Sequence, residues 1–265
     1  MKGRILIVAG TDPSGGAGIH ADIKATTALG GYAMTAITAL VAQNTLGVKR
    51  VLDVPPDFIA EQIELCATDI GVDVVKTGML HKASVIEAVA GALDRFCPEA
   101  PVVVDPVMVA KSGDPLLEAA SAEALKRLIV ARAALITPNI PEAEALTGLR
   151  IRSFEEQEAA AAALLAMGPK AALVKGGHAE GATVRNLLLW KGGRRVYETP
   201  RIDTRHTHGT GCTLASAIAT GLAQGLSLPD AVDRGVRYTH EAIRTNPGFG
   251  KGHGPLNHAH TVRAF

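Results

Sequence analysis

Six short runs of apolar, largely β-branched residues recur along this chain, set between helical patterns. They are Ile5 to Ala9, Ala36 to Val41, Val72 to Lys76, Val102 to Asp105, Ala134 to Thr137 and Ala171 to Lys175. Strands that are apolar throughout, rather than at alternate residues, must be covered on both sides. That condition is met by a mainly parallel sheet between two layers of helices, so an α/β fold is expected. Periodicity predicts helices over Ser84 to Phe96, Leu116 to Ala131, Glu155 to Met167 and Pro229 to Thr245, with Ser153 and Glu156 as a capping box before the third. Asn186 to Lys191 and Arg194 to Thr199 flank Gly192-Gly193 and read as a late β-hairpin on a sheet edge. A length of 265 residues suits one domain, 1–265, with a well-buried core. The segment after Asn246, rich in glycine and histidine, reads as loosely structured.

Charge and composition narrow the partners. With 27 basic and 26 acidic side chains, the balance argues against nucleic acid or an anionic membrane and for a small-molecule ligand. The run Ile5 to Ala9 is too short for a signal-peptide core and no segment approaches membrane-spanning length, so a soluble, cytoplasmic protein is expected. Cys66, Cys97 and Cys212 show no metal-type spacing and suggest neither a disulfide framework nor a zinc site. Cys66 falls on the apolar face of a helical pattern, and Cys97, before Pro98, reads as a helix end.

Ligands of an open α/β sheet bind beyond the carboxyl ends of its strands. Residues 10–18, Gly10-Thr11-Asp12-Pro13-Ser14-Gly15-Gly16-Ala17-Gly18, follow the first run. Gln43-Asn44, Thr77-Gly78-Met79, Asp105, Asn139 with Glu142, and Lys175-Gly176-Gly177 follow later ones. The first glycine cluster is not a P-loop, because Gly16 stands where lysine is required after Gly15, and it does not match the dinucleotide fingerprint. It reads as a turn against which a substrate can lie, beginning at Gly10. His208-Gly209-Thr210-Gly211-Cys212-Thr213 runs into an alanine-rich helical pattern. Free N–H groups of a helix start, with the positive end of its dipole, make that junction an anion site. A plain helix start uses the same residues.

Taken in order, the Gly10 to Gly18 loop, Val41-Ala42-Gln43-Asn44-Thr45, Val104-Asp105-Pro106-Val107, Thr137-Pro138-Asn139-Ile140-Pro141-Glu142 and Gly209-Thr210-Gly211-Cys212 resemble hydroxymethylpyrimidine/phosphomethylpyrimidine kinases. These are thiamine-pathway members of the ribokinase-like superfamily, and the resemblance spans nearly the whole chain. It implies a three-layer α/β/α ribokinase-like fold, ATP and Mg2+ as cofactors, and a homodimer. It also implies two successive phosphorylations, of 4-amino-5-hydroxymethyl-2-methylpyrimidine and then of its monophosphate. Glu142 and Asn139 match the superfamily's magnesium and phosphate segment, and Asp105 adds a second carboxylate. Helix capping is the alternative for Asn139 and Glu142, and a turn before Pro106 for Asp105. The resemblance places Lys175 over the ATP phosphates, with Gly177 leaving room for nucleotide; a strand-end lysine reaching solvent is the other reading.

Most of the superfamily carries an aspartate as general base where this chain has Cys212. An ionised phosphate monoester needs little base catalysis, and a fixed aspartate beside it would repel it, whereas a thiol that can be neutral tolerates both acceptors; its protonation state stays open, since a helix N-terminus lowers a thiol's pKa and a nearby triphosphate opposes that. The amide of Gln43 offers one donor and one acceptor to the 4-amino group and adjacent nitrogen of an aminopyrimidine; an amide capping a strand end is the other reading. With only 3% aromatic residues, ring packing falls to aliphatic and thioether groups such as Val41, Met79 and Val107, with ordinary core as the other reading of Met79. Asp22 either reaches the substrate hydroxyl or faces solvent. Gly248 to Gly254 and Lys111 to Asp114 are candidate lids from their glycine content. The closest rival is a pyridoxal or pyridoxine kinase. A non-catalytic ligand-binding or regulatory protein on the same fold is more distant, because a mere binder has no need of the carboxylates.

Overall fold

The computed structural model describes residues 1–263 except Lys111, Pro115 and Glu180, and excludes the side chain of Ala119. Of the Lys111 to Asp114 loop, Lys111 thus lies outside the described residues. The elements are β1 (Arg4–Ala9), α1 (Gly18–Ala28), β2 (Tyr32–Ile37), β3 (Ala39–Asn44), β4 (Gly47–Asp53), α2 (Pro56–Asp69), β5 (Val74–Thr77), α3 (Ala83–Phe96) and β6 (Val102–Val104). They continue with α4 (Ala122–Ala124), β7 (Leu135–Ile136), α5 (Ile140–Thr147), α6 (Phe154–Ala166), β8 (Ala171–Val174), β9 (Thr183–Trp190), β10 (Gly193–Pro200), α7 (Thr210–Ala223) and α8 (Leu228–Arg244). One sheet runs β10-β9-β8-β7-β6-β5-β1-β2. Along it β2, β1, β5, β6, β7 and β8 pair in parallel, β9 and β10 add an antiparallel edge, and β3 and β4 form a separate antiparallel pair.

The apolar strands are buried on both faces. Leu6, Val8, Val75, Val102 and Val104 pack toward α2, α3 and α6 through Ile59, Ile63, Ile86, Val89 and Leu164. Ile5, Ile7, Val74, Val103 and Leu135 face the other way, onto Ile19 of α1, Leu214 and Ile218 of α7, and Val232 and Val236 of α8. Each strand thus feeds two helical layers, as its unbroken apolar run predicts.

Three expectations are corrected. The run Ala36 to Val41 is two strands in different sheets, because Thr38 breaks it: its N–H donates to Ala9 and its hydroxyl to the Met79 carbonyl at 2.7 Å. Beyond Thr38 the chain lifts off as the β3–β4 hairpin, fastened to the first loop by the Thr11 hydroxyl, which accepts from the Val41 amide at 2.9 Å. Alternation is weak in β3, so the sequence read as one run. The helix expected over Leu116 to Ala131 is shorter and irregular, with α4 continuing into a wide turn over Leu125–Val130.

The segment after Asn246 is packed rather than loose. His253 N–H donates to the Thr45 carbonyl at the hairpin turn at 2.8 Å, so Gly248 to Gly254 is tied to the hairpin. Further on, the Tyr238 hydroxyl donates to the His258 carbonyl at 2.7 Å, and buried His258 Nε2 lies 2.9 Å from the Thr213 hydroxyl. Burial, with Lys24 and His260 nearby, lowers the His258 pKa from 6.5 to about 4. The unfolded chain therefore takes up a proton below pH 6.5 that the folded one refuses. The associated stability is complete above pH 6.5 and is lost as pH falls toward 4, by roughly 3 kcal/mol at most. Urea unfolding at pH 7.5 and 4.5 should show this loss, and His258→Gln should reduce the difference by about that amount.

Candidate active site

The carboxyl ends of β1, β5, β6, β7 and β8 open into one cavity of about 550 Å³. Gly10, Gln43, Met79, Val107, Asp105, Asn139, Glu142, Lys175, Gly177, Gly209, Thr210, Gly211 and Cys212 all line it. Two expected residues, Asp22 and Val41, do not. Asp22 is fully buried and absent from the wall, reaching neither solvent nor the cavity. Its carboxylate receives the ammonium of Lys76, itself fully buried, at 2.9 and 3.0 Å, and the Ser216 hydroxyl at 2.7 Å. The sequence could not show that β5 presents a lysine beneath Asp22.

At one end of the cavity the side chain of Gln43 rests on the wall, its Nε2 donating to the Thr11 carbonyl at 3.3 Å. Gln43 sits within β3, beside a bulge after Ala42, rather than beyond a strand of the main sheet. Met79 packs with Ala39, Val41 and Leu116 beneath the hairpin. Val41 belongs to that cluster and does not line the cavity.

At the other end, Lys175 Nζ lies 3.0 Å from Asp105 Oδ1. Burial opposes its charge, but Asp105 and Glu142 outweigh it and hold the ammonium above its ordinary value. Asn139 and Glu142 form a complete capping box at the start of α5: Asn139 Oδ1 accepts from the Glu142 amide at 2.9 Å, and Glu142 Oε2 from the Asn139 amide at 2.8 Å. Capping and ligand roles are therefore compatible, since the cap is what aims the carboxylate. Burial raises the Glu142 pKa to about 7, Lys175 opposing and Asp105 adding to the rise. A buried carboxyl this reluctant to ionise, beside a second carboxylate, fits a hard cation that compensates its charge. Among the described residues no three His, Cys, Asp or Glu cluster as a metal site. Such an ion would need phosphate and water for its remaining ligands, as magnesium does at phosphoryl-transfer sites.

Between the two ends stands the start of α7. Its N-cap, Gly209, has φ 80°, and a Cβ there would lie 1.8 Å from the Gly16 carbonyl oxygen, so only glycine fits. Gly211 lies against Lys175 and Asp105. Cys212 is half-buried in the first turn, its sulfur receiving the Gly18 amide. Burial pushes the thiol up to about 12, with Lys76 opposing and Asp22 and Asp105 adding, so the group is a neutral thiol at pH 7. The sequence left that protonation state open, because a helix start lowers a thiol's pKa while a nearby triphosphate opposes it. Sequence reasoning also missed Thr239, a buried α8 residue on the wall whose hydroxyl has no partner. Nothing in an amphipathic helix marks which residue of its buried face meets a cavity.

A family model described as phosphomethylpyrimidine kinase matches residues 12–257. The chain is 48% identical over 257 residues to the thiamine biosynthesis bifunctional protein ThiED of Geobacter sulfurreducens. That match covers 97% of this chain and 52% of the relative, so the chain spans about half the length of that protein. It is 45% identical over 258 residues to the hydroxymethylpyrimidine/phosphomethylpyrimidine kinase of Salmonella typhimurium, covering 96% of this chain and 97% of the relative. Among solved structures, an ADP complex of Bacillus subtilis pyridoxal kinase superposes with a TM-score of 0.89 at 31% identity, covering 98% of each chain.

Proposed function

Because this chain belongs to the phosphomethylpyrimidine kinase family, we propose that it phosphorylates 4-amino-5-hydroxymethyl-2-methylpyrimidine and then the resulting monophosphate, using ATP, in thiamine biosynthesis. The observation that carries the reading is one cavity lined by the Gln43 amide, by the Lys175, Asp105 and Glu142 charges and by Cys212. In this reading Gln43 exchanges its bond to Thr11 for the aminopyrimidine edge, and Met79 and Val107 pack on the ring. The free N–H groups at the start of α7 hold the transferred phosphoryl as its charge redistributes, and Lys175 neutralises the donor phosphates. Asp105 and Glu142, with Asn139, would hold Mg2+, which supplies charge neutralisation when bound. Cys212 stays neutral beside either acceptor.

The whole chain, 1–265, acts as one ribokinase-like kinase domain in the cytoplasm, as a homodimer. Among the described residues no helix is long and apolar enough to cross a membrane. The test is ADP release with magnesium-ATP and three acceptors at equal concentration: hydroxymethylpyrimidine, its monophosphate and pyridoxine. Turnover of both pyrimidines with pyridoxine weak is expected. Strong turnover of pyridoxine alone moves the reading to a vitamin B6 kinase, and turnover of none removes catalysis. Gln43→Met is expected to raise KM for hydroxymethylpyrimidine by about 10- to 100-fold, the cost of an unpaired polar edge, while changing pyridoxine turnover little.

A further inference from the structure

The two glycine-rich loops that meet at the transfer point are joined by a buried pair whose residues are 196 positions apart. Asp12 is fully buried, and its carboxylate accepts from the Ser14 amide at 2.9 Å, the Ser14 hydroxyl at 2.7 Å, the Gly16 amide at 3.1 Å and the Ala17 amide at 2.7 Å. These bonds complete the turn after β1. A fifth comes from His208 Nε2 at 2.8 Å, from a buried ring beside the α7 N-cap. Burial alone would raise the Asp12 pKa, but the bonds from His208 and Ser14, with the Ala17 amide, keep it below the ordinary carboxylate value.

Around this bond the loops touch twice more. The Gly16 carbonyl lies against the Gly209 backbone, and the Gly18 amide donates to the Cys212 sulfur. The first contact is van der Waals only and the second is a weak hydrogen bond to sulfur. The charged, buried bond between Asp12 and His208 is the strong one of the three.

Resting on the kinase reading above, we propose that Asp12 and His208 are a positioning pair for phosphoryl transfer. Their bond docks the acceptor-side loop, Gly10 to Gly18, on the anion loop, His208 to Cys212, so that acceptor oxygen and α7 N-terminus share one frame. Neither side chain needs to touch the reacting atoms. In-line transfer is sensitive to placement: a misplacement of about 1 Å costs roughly 100-fold in rate. In the Nε2–H tautomer, as in the charged ring, Nε2 donates to Asp12, so the link does not need the ring to be charged.

The experiment compares His208→Ala and His208→Gln, the amide nitrogen of glutamine being placed much as Nε2 is. kcat and KM are measured for magnesium-ATP and for each pyrimidine acceptor, together with the rate of Cys212 alkylation by iodoacetamide in the absence of ligands. For His208→Ala, kcat is expected to fall about 30- to 100-fold on both acceptors with KM within about threefold, and Cys212 alkylation to rise at least about fivefold. His208→Gln is expected to restore most of each. If the alanine variant does not fold, His208→Asn, too short to reach Asp12, takes its place. The proposal is overturned by an unchanged kcat, by a loss confined to KM, or by a loss that glutamine does not repair, which would mean the imidazole itself acts on the phosphates. If the parent protein turns over neither acceptor the kinase reading fails, while alkylation still decides whether the pair holds the two loops together.

Discussion

With aspartate in place of Cys212, turnover of the pyrimidine monophosphate is expected to fall by at least about 100-fold, while phosphorylation of the hydroxymethyl compound stays within about tenfold of the parent. The thiol already sits near two buried carboxylates, Asp22 and Asp105, both of which raise its pKa. A third carboxylate, facing a phosphate monoester about 4 Å away, adds repulsion on the order of 4 kcal/mol at the effective dielectric of such a site. Lys76 and any bound cation offset part of it, which brings the expectation down to 100-fold. The alcohol acceptor carries no charge and gains a base. The measurement is kcat/KM for each acceptor, and equal turnover of the monophosphate by Cys212→Asp would sink the account. Cys212→Ala provides the complement: with the thiol neutral beside both acceptors, its penalty should be similar on the two, the thiol being lost as a polar contact and not as a base. A negligible penalty on both would mean that Cys212 only packs.

Asp22→Asn is expected to destabilise the protein by about 3–5 kcal/mol, because it leaves the Lys76 ammonium buried without a counter-charge. Neither side chain is exposed to solvent, so water cannot substitute. The pair ties three elements together, since Asp22 lies on α1, Lys76 on β5, and Ser216, which donates to Asp22, on α7. The melting temperature should drop by roughly 10 °C. Adding Lys76→Met to Asp22→Asn removes the stranded charge and should recover most of the loss. If single and double variants melt together, the ion pair is not what holds this junction.

The sheet was legible in the chain because its strands are apolar on both faces, a pattern no solvent-facing strand tolerates, and the runs at β1, β6 and β8 lie close to where the strands form. The edge hairpin was legible from Gly192-Gly193, and the capping boxes at Ser153 and Asn139 from residue types three apart. The β3–β4 hairpin was not, because the break depends on Thr38 finding carbonyl partners in β1 and in the loop after β5. The order of the segment after Asn246 was hidden for a similar reason. Gly252 donates to the Thr45 hydroxyl and His253 to the Thr45 carbonyl, some 200 residues away, and composition carries no record of such partners.

The candidate site divides the same way. Residue type and position after a strand were enough to nominate Asp105, Glu142, Lys175, Gln43 and the Gly209 to Cys212 turn, because an α/β sheet delivers its strand ends to one rim. What only the tertiary structure decided is the electrical state of that rim: Asp22 neutralised by Lys76, Asp12 held by His208, Glu142 raised to about 7, and Cys212 a neutral thiol. Charge states in a buried site are set by desolvation and by partners from distant strands and helices. Those distances exist only once the chain has folded.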